Sequence, residues 1–203
     1  MVRKNTFRLD CDDTYYHIYN RGVGKMEIFR DDEDFRYFEH LLVRHISKNV
    51  VRDKFGREYK NYHDDVKLCS YCLMPNHFHL LLWQVNKGGV QGFMSSVCTS
   101  YGMYFNKKYK RKGPLFESAY KAVIIENDPQ LMHITRYIHL NPMGYRMWDY
   151  SSYSDYVYSP REWVSPDSIL SLFSSKQAYV AFVDDYEDVK RANDIHKAIL
   201  EDE

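Results

Sequence analysis

Hydrophobic and polar positions along the chain follow two spacings. A period of two residues places side chains on opposite faces of a strand, and spacings of three and four residues place apolar side chains on one face of a helix. The strand pattern covers residues 15–20, 66–74, 77–84 and 115–125, and the helical pattern covers residues 31–45, 90–104 and 129–141. The sequence therefore predicts the order strand, helix, strand, strand, helix, strand, helix.

Capping and breaking residues define the limits of two helices. The acidic run at residues 31–34 suits the positive end of a helix dipole, so we interpret it as a helix start and not as a metal site. Asn127 or Asp128 caps the third helix, and Pro142 disfavours helical geometry at the residue before it. The third helix is therefore expected to end at Asn141.

The patterns divide the chain into two parts. Residues 1–158 hold all of the elements above, whereas residues 159–203 hold only short amphipathic segments. These segments are residues 169–173, 176–186 and 189–200. We therefore predict an α/β domain over residues 1–158 and a C-terminal helical appendage over residues 159–203.

Composition restricts the class of protein. The chain has 203 residues, 44% hydrophobic and 28% charged, which is typical of a globular protein with a core. Its formal net charge of zero excludes a globally basic nucleic-acid-binding protein, although a local basic patch remains compatible. No apolar run approaches the roughly 20 residues of a membrane span, and the first residues lead into no signal-peptide core. We expect a cytoplasmic protein with no membrane partner.

One short segment concentrates positive charge. Five of the six residues at 107–112 are basic, and aromatic residues lie beside them. Such a run is usually only a solvated surface. In a chain of zero net charge it also suits neutralisation of phosphates, with aromatic rings for base stacking. The basic residues are Lys107, Lys108, Lys110, Arg111 and Lys112.

Two histidines occupy one face of a predicted central strand. His77 and His79 are two residues apart, so they project to the same side, while Phe78 points into the core. Two imidazoles on a rigid strand form a pair suited to binding a metal ion. The simpler interpretation is that one histidine is hydrogen-bonded in the sheet and the other is exposed.

The third predicted helix carries a phenol and an amide on one face. His133, Tyr137 and Asn141 are four residues apart in turn. A phenol is a poor nucleophile unless it loses its proton or its target is polarised. A divalent cation at His77 and His79 would polarise a phosphate, with the Asn141 amide oxygen as a third ligand. Alternatively, Tyr137 is one of 19 tyrosines and packs at the edge of the core.

Four ordered motifs resemble one family. Residues 75–79, Pro-Asn-His-Phe-His, resemble the HUH motif of single-tyrosine transposases, in which a bulky apolar residue separates two histidines. Three further stretches resemble the insertion-sequence-200-like and REP-associated tyrosine transposases. They are Tyr19-Asn20-Arg21-Gly22, Tyr104-Phe105-Asn106-Lys107-Lys108-Tyr109 and Tyr137-Ile138-His139-Leu140-Asn141-Pro142. The resemblance extends roughly over residues 15–153.

The resemblance implies a fold and a set of site residues. The fold would be a ferredoxin-like antiparallel sheet with helices on one face. His77 and His79 would bind the metal, which phosphate chemistry and an oxygen ligand indicate to be Mg²⁺ or Mn²⁺. Asn141 would be the third ligand, a slightly shorter equivalent of the glutamine in some members. Tyr137 would be the nucleophile.

The resemblance also implies a reaction and partners. Single-stranded DNA beside a hairpin would be cleaved to a 5′-phosphotyrosine link and a free 3′-hydroxyl, which later rejoins strands without ATP. The family contains both dimers and monomers, so a homodimer and a monomer remain open. The candidate DNA contacts are Arg21, Lys107, Lys108, Lys110, Arg111, Lys112 and, beside the nucleophile, Arg136.

Two other functions compete with this one. A non-catalytic regulatory protein derived from a transposase would bind hairpin nucleic acid with the basic residues and need neither metal nor phenol. An unrelated metal hydrolase would use the histidine pair but would normally require more carboxylates around it. The simultaneous presence of His77, His79, Tyr137 and Asn141 favours the transposase.

Overall fold

The computed structural model describes residues 10–186, and within them it contains the predicted order of elements. The predicted helix at residues 189–200 lies outside the described residues. The strands are β1 (Thr14–Arg21), β2 (Val66–Met74), β3 (His77–Gln84) and β4 (Lys121–Ile125). The helices are α1 (Asp32–Ile46), α2 (Gly89–Lys108), α3 (Asp128–His139), α4 (Tyr153–Val157), α5 (Asp167–Leu170) and, in its described part, α6 (residues 176–186).

The four strands form one sheet in the order β2-β3-β1-β4. Every neighbouring pair is antiparallel. Helix α1 connects β1 to β2 and α2 connects β3 to β4, which is the ferredoxin-like topology. The predicted fold is therefore confirmed.

The two faces of the sheet carry different helices. Apolar residues of α1 and α2 pack with Phe78, Leu80 and Leu82 of β3 on one face. The other face carries α3, whose Leu131 and Ile138 pack with Leu81 of β3. The expectation of helices on one face thus holds for α1 and α2, whereas α3 lies opposite. Alternation along β3 explains this, since Leu81 supplies an apolar contact on the same face as the two histidines.

Strand β4 is shorter than the sequence pattern indicates. Residues 115–120 are irregular, and the strand begins at Lys121. The side-chain amide of Asn20 donates hydrogen bonds to the carbonyl oxygens of Ser118 and Ala119, at 3.0 and 2.6 Å. These carbonyls are therefore satisfied by a side chain, and not by a neighbouring strand.

The C-terminal segments pack against the sheet and α3. Tyr179 and Val183 of α6 are fully buried in the apolar cluster that α3 forms on its face of the sheet, together with Ile169 of α5. The hydroxyl of Tyr145 donates a hydrogen bond to the carboxylate of Asp184 at 2.5 Å. The helical tail is thus observed up to residue 186, and a domain division at residue 158 stays a prediction. In the part of the chain that the structure describes, no helix has both the length and the apolar character needed to cross a membrane.

Two glycines of α2 provide a matched test of packing. A Cβ at Gly92 would lie 2.5 Å from the ring of Tyr62, whereas a Cβ at Gly102 would meet nothing within 4 Å. Tyr62 cannot easily move, because it is buried and its hydroxyl lies 3.0 Å from that of Ser96. We expect Gly92→Ala to lower the free energy of unfolding by about 1–3 kcal/mol. Gly102→Ala should raise it by up to about 1 kcal/mol.

Urea denaturation of both variants measures these changes. Effects of the same sign and size would contradict the crowding at Gly92.

Candidate active site

A cleft lies where β1 ends, β3 begins and α3 crosses the sheet. Its volume is about 200 Å³. The pairing of β1 with β3 sets Arg21 opposite His77 and Tyr19 opposite His79, and α3 brings Tyr137 above them. The lining residues are Tyr19, Asn20, Arg21, His77, Phe78, His79, Glu117, Lys121 and Tyr137.

The predicted histidine pair and the predicted tyrosine meet in this cleft. The ring centres of His77 and His79 are 5.1 Å apart, and the ring of Tyr137 lies 5.3 Å from that of His79. Tyr137 is 45% exposed although it is a large ring, whereas His79 is 6% exposed. The cleft therefore presents an accessible phenol beside two sheltered imidazoles. All three residues belong to one chain.

Asn141 completes the predicted set. Helix α3 ends at His139, two residues before the predicted end, but the backbone N–H of Asn141 still bonds to the carbonyl of Ile138 at 3.3 Å. This tightened last turn keeps the amide one turn beyond Tyr137. The Asn141 Oδ1 lies 3.0 Å from His77 Nε2.

The protonation state and tautomer of His77 decide which of its nitrogens can bind a metal ion. Asn76 Oδ1 lies 2.6 Å from His77 Nδ1, and this oxygen faces the ring because the Asn76 amide donates to the carbonyl of Lys25. Burial lowers the pKa of His77, so the ring is neutral at pH 7 and has one N–H. When Nδ1 donates to Asn76, the lone pair of Nε2 faces the Asn141 oxygen.

This arrangement fits a divalent cation. Two adjacent ligands of an octahedral ion, each about 2.1 Å from it, lie about 3 Å apart. The separation of His77 Nε2 and Asn141 Oδ1 is 3.0 Å. Imidazole nitrogen and amide oxygen are both ligands of divalent ions. The described residues contain no group of three or more His, Cys, Asp or Glu suited to a metal, so an ion here would depend on the amide oxygen.

The phenol of Tyr137 is protonated at neutral pH. Burial raises the pKa of Tyr137 above its usual value, while a hydrogen bond with Asn141 and the charge of Arg21 act in the opposite direction. Tyr137 therefore has to lose its proton before or during any attack. Arg21, which we predicted as a DNA contact, lines the same cleft and provides positive charge near the phenol.

Several residues of the site were not predicted from the sequence to belong to it. Tyr19, Glu117 and Lys121 line the cleft, and His17 lies behind His79 with its Nε2 2.9 Å from His79 Nδ1. Burial lowers the pKa of His17 to about 4. His17 and Tyr19 are two residues apart and so lie on the same face of β1, but their proximity to His79 depends on the strand order of the sheet. Strand alternation alone therefore gave only a weak signal.

Three predicted DNA contacts have partners within the chain, since Arg111 donates a hydrogen bond to Asn106 Oδ1 at 3.0 Å and the other two are Lys108 and Arg136. Lys108 Nζ lies 2.8–2.9 Å from carboxylate oxygens of Asp31, Glu33 and Asp34 at the start of α1. The carboxylates lie at the positive end of the α1 dipole, which favours negative charge, and the ammonium group of Lys108 balances their charge. Lys108 therefore belongs to the packing between α1 and α2.

Arg136 also points away from the cleft. Its guanidinium lies between the rings of Phe182 and Tyr186, 4.1 and 4.2 Å from their centres, and bonds to His133 Nδ1 at 2.7 Å. The residue is 7% exposed. Arg136 thus fixes α6 against α3.

A buried histidine fixes α3 two residues beyond Tyr137. His139 Nδ1 lies 2.6 Å from the hydroxyl of Tyr179, and His139 Nε2 lies 2.8 Å from the hydroxyl of Ser152. Ser152 also accepts a hydrogen bond from the backbone N–H of Tyr71 in β2. These bonds join α3 to the sheet and to α6, and so position the helix that carries Tyr137.

Comparison with known proteins gives one family and one fold. The family model described as "Transposase IS200 like" matches residues 39–141, just over half of the chain. The structure of a REP-associated tyrosine transposase bound to a REP hairpin is similar, with a TM-score of 0.55 and 13% identity, covering 81% of this chain and 90% of that chain. At this identity the likeness shows the fold. No curated protein matches the chain in sequence.

A second solved structure is less similar. It is described as a transposase from Deinococcus radiodurans R1, and it has a TM-score of 0.41 and 14% identity, covering 68% of this chain and 95% of that chain. This likeness is too weak to bear on the fold.

His139 should make stability depend on pH. Burial lowers its pKa to about 3, whereas the unfolded chain protonates a histidine near 6.5. As pH falls through this window, the unfolded state binds the proton first and stability is lost. The contribution of His139 should fall by about 3 kcal/mol between pH 7 and pH 4. The His139→Gln variant has no imidazole at this position, so this pH-dependent contribution to stability is absent from it.

Urea denaturation at several pH values tests this prediction. The difference in free energy of unfolding between wild type and His139→Gln should shrink as the pH is lowered. A constant difference would assign the titration to other groups.

Proposed function

The chain belongs to the IS200-like transposase family, and from this premise we propose that it is a metal-dependent transposase. It cleaves and rejoins single-stranded DNA beside a hairpin through a 5′-phosphotyrosine intermediate. One observation carries the proposal: Tyr137, His77 and His79 surround a single cleft, with Asn141 Oδ1 3.0 Å from His77 Nε2. The proximity of these residues within one chain supports a site that is assembled in cis.

Tyr137 performs the cleavage in this proposal. Its phenolic oxygen gives up a proton and attacks the scissile phosphorus, forming a new P–O bond. The bond from phosphorus to the 3′ oxygen breaks, and that oxygen takes up a proton to become a free 3′-hydroxyl. In the reverse reaction a 3′-hydroxyl attacks the phosphotyrosine and restores Tyr137. The bond energy is kept throughout, so no ATP is consumed.

The other residues of the cleft bind and orient the phosphate. His77, His79 and Asn141 would hold Mg²⁺ or Mn²⁺, and the bound ion would supply Lewis-acid polarisation of the phosphate. Asn76 keeps the ring of His77 oriented, because its Oδ1 accepts a hydrogen bond from His77 Nδ1–H at 2.6 Å. Arg21 lies in the same cleft, where its guanidinium stabilises negative charge on the phosphate.

A second set of residues binds the DNA outside the cleft. The similar REP-associated enzyme is bound to a hairpin, which supports a hairpin as the partner here. Lysine and arginine side chains at the end of α2 neutralise its phosphates. Lys108 and Arg136 are left out of this set because three carboxylates already balance the charge of Lys108, and Arg136 is buried between two aromatic rings. The proposed contacts outside the cleft are Lys107, Lys110, Arg111 and Lys112, in addition to Arg21 inside it.

Tyr137→Phe should abolish a covalent adduct. Wild-type protein, labelled single-stranded hairpin DNA and Mn²⁺ are mixed, and denaturing gels reveal SDS-resistant complexes. His77→Ala should also fail to form the adduct, because one proposed metal ligand is removed. Tyr158→Phe is the matched control, since Tyr158 is 74% exposed and does not line the cleft.

An adduct that persists in Tyr137→Phe would assign the nucleophile to another tyrosine. If the wild type binds a library of hairpins tightly and never forms an adduct, the chain is a non-catalytic regulatory protein derived from a transposase.

The basic residues should govern salt dependence. Replacing Lys107 and Lys112 together by Gln should weaken hairpin binding, and the slope of log affinity against log salt should decrease by roughly 0.7–0.9 for each phosphate that is no longer neutralised. Fluorescence anisotropy at several salt concentrations measures both. Lys54→Gln, an exposed lysine in the segment between α1 and β2, is the control. An unchanged slope in the double variant would place the DNA elsewhere.

A further inference from the structure

We infer that His17 is a positioning residue for His79. It holds the tautomer in which His79 carries its proton on Nδ1 and presents the lone pair of Nε2 to the cleft. The inference rests on the proposed function, because it assigns to His17 the orientation of a proposed metal ligand. Nothing in the resemblance or in the sequence pattern singled out this residue.

The contact between the two histidines is short and sheltered. His17 Nε2 lies 2.9 Å from His79 Nδ1, and the two side chains are 8% and 6% exposed. Their rings are nearly parallel, with centres 5.1 Å apart. A hydrogen bond between two imidazole nitrogens needs one donor and one acceptor, so the bond couples the tautomer of one ring to that of the other.

The surroundings of His17 hold it in place. It belongs to β1, where Tyr19 is the residue paired with His79, so His17 is the diagonal neighbour of His79 on the same sheet face. The ring of Tyr19 stacks on His17 at 5.0 Å, and the ring of Tyr137 contacts it edge-on at 6.2 Å. A ring with contacts on several sides presents its Nε2 in one direction.

His77 and His79, the two proposed histidine ligands, each have a hydrogen-bonding neighbour at Nδ1. Asn76 Oδ1 lies 2.6 Å from Nδ1 of His77, and His17 Nε2 lies 2.9 Å from Nδ1 of His79. Each imidazole thus has a neighbour at Nδ1, which leaves Nε2 as the atom of each ring suited to a metal ion. Metal-binding histidines commonly donate their second N–H to such a partner, which fixes both tautomer and ring orientation. His17 therefore does for His79 what Asn76 does for His77.

Two substitutions separate this role from simple packing. His17→Phe keeps a flat ring against Tyr19 but removes the acceptor, whereas His17→Gln carries an amide oxygen at a similar distance from the backbone. The first measurement is the tautomer of His79 in metal-free protein, from long-range ¹H–¹⁵N NMR of imidazole nitrogens. We expect Nδ1–H in wild type and His17→Gln, and a mixture of tautomers in His17→Phe.

The second measurement is Mn²⁺ affinity by calorimetry. His17→Phe should bind Mn²⁺ roughly 10–100-fold more weakly than wild type, and His17→Gln should recover most of the affinity. Circular dichroism establishes that both variants are folded. A wild-type His79 protonated on Nε2, or a folded His17→Phe with wild-type tautomer and Mn²⁺ affinity, would overturn the inference.

Failure of the proposed function would look different. A wild-type protein that binds no Mn²⁺, or a His77→Ala variant that binds as tightly as wild type, would contradict the metal site. The NMR measurement needs no metal, so it judges the role of His17 by itself.

Discussion

The antiparallel pairing of β1 with β3 fixes the geometry of the cleft. It sets Arg21 opposite His77 and Tyr19 opposite His79 over eight paired positions, and it brings His17 within 2.9 Å of His79. Because side chains alternate along a strand, a shift of one residue would turn both histidines into the apolar core against α1 and α2. The apolar residues Phe78, Leu80 and Leu82 oppose such a shift, since they would face α3 instead. The core thus specifies the register on which the site depends.

The second requirement is the docking of α3. The sheet side of this helix is apolar, but its position along the sheet is set by a buried polar group, because His139 bonds both to Ser152 and to Tyr179. Hydrogen bonds restrict direction and distance more narrowly than apolar contacts do. Tyr137, two residues earlier on the helix, is therefore held over the histidines by residues that never touch the cleft.

The sequence predicts some of this well, for identifiable reasons. The limits of β2 and β3 are correct to the residue because two apolar runs meet at Pro75-Asn76, and the family resemblance is confirmed. The start of β4 is wrong because Asn20, about a hundred positions away, binds the preceding carbonyls. Lys108 and Arg136 likewise have partners distant in sequence, and His17 needs the strand order. Pattern analysis detects local periodicity, so it misses such contacts, and the catalytic and metal roles stay predictions.

The strand order has a consequence for the smallest fragment that can fold. The family match covers residues 39–141, which include His77, His79, Tyr137 and Asn141 but not β1. In the sheet, β1 lies between β3 and β4. A fragment cut to the matched residues would leave β4 without a strand to pair with and would expose one edge of β3. Recognition of the family and integrity of the fold therefore rest on different lengths of the same chain.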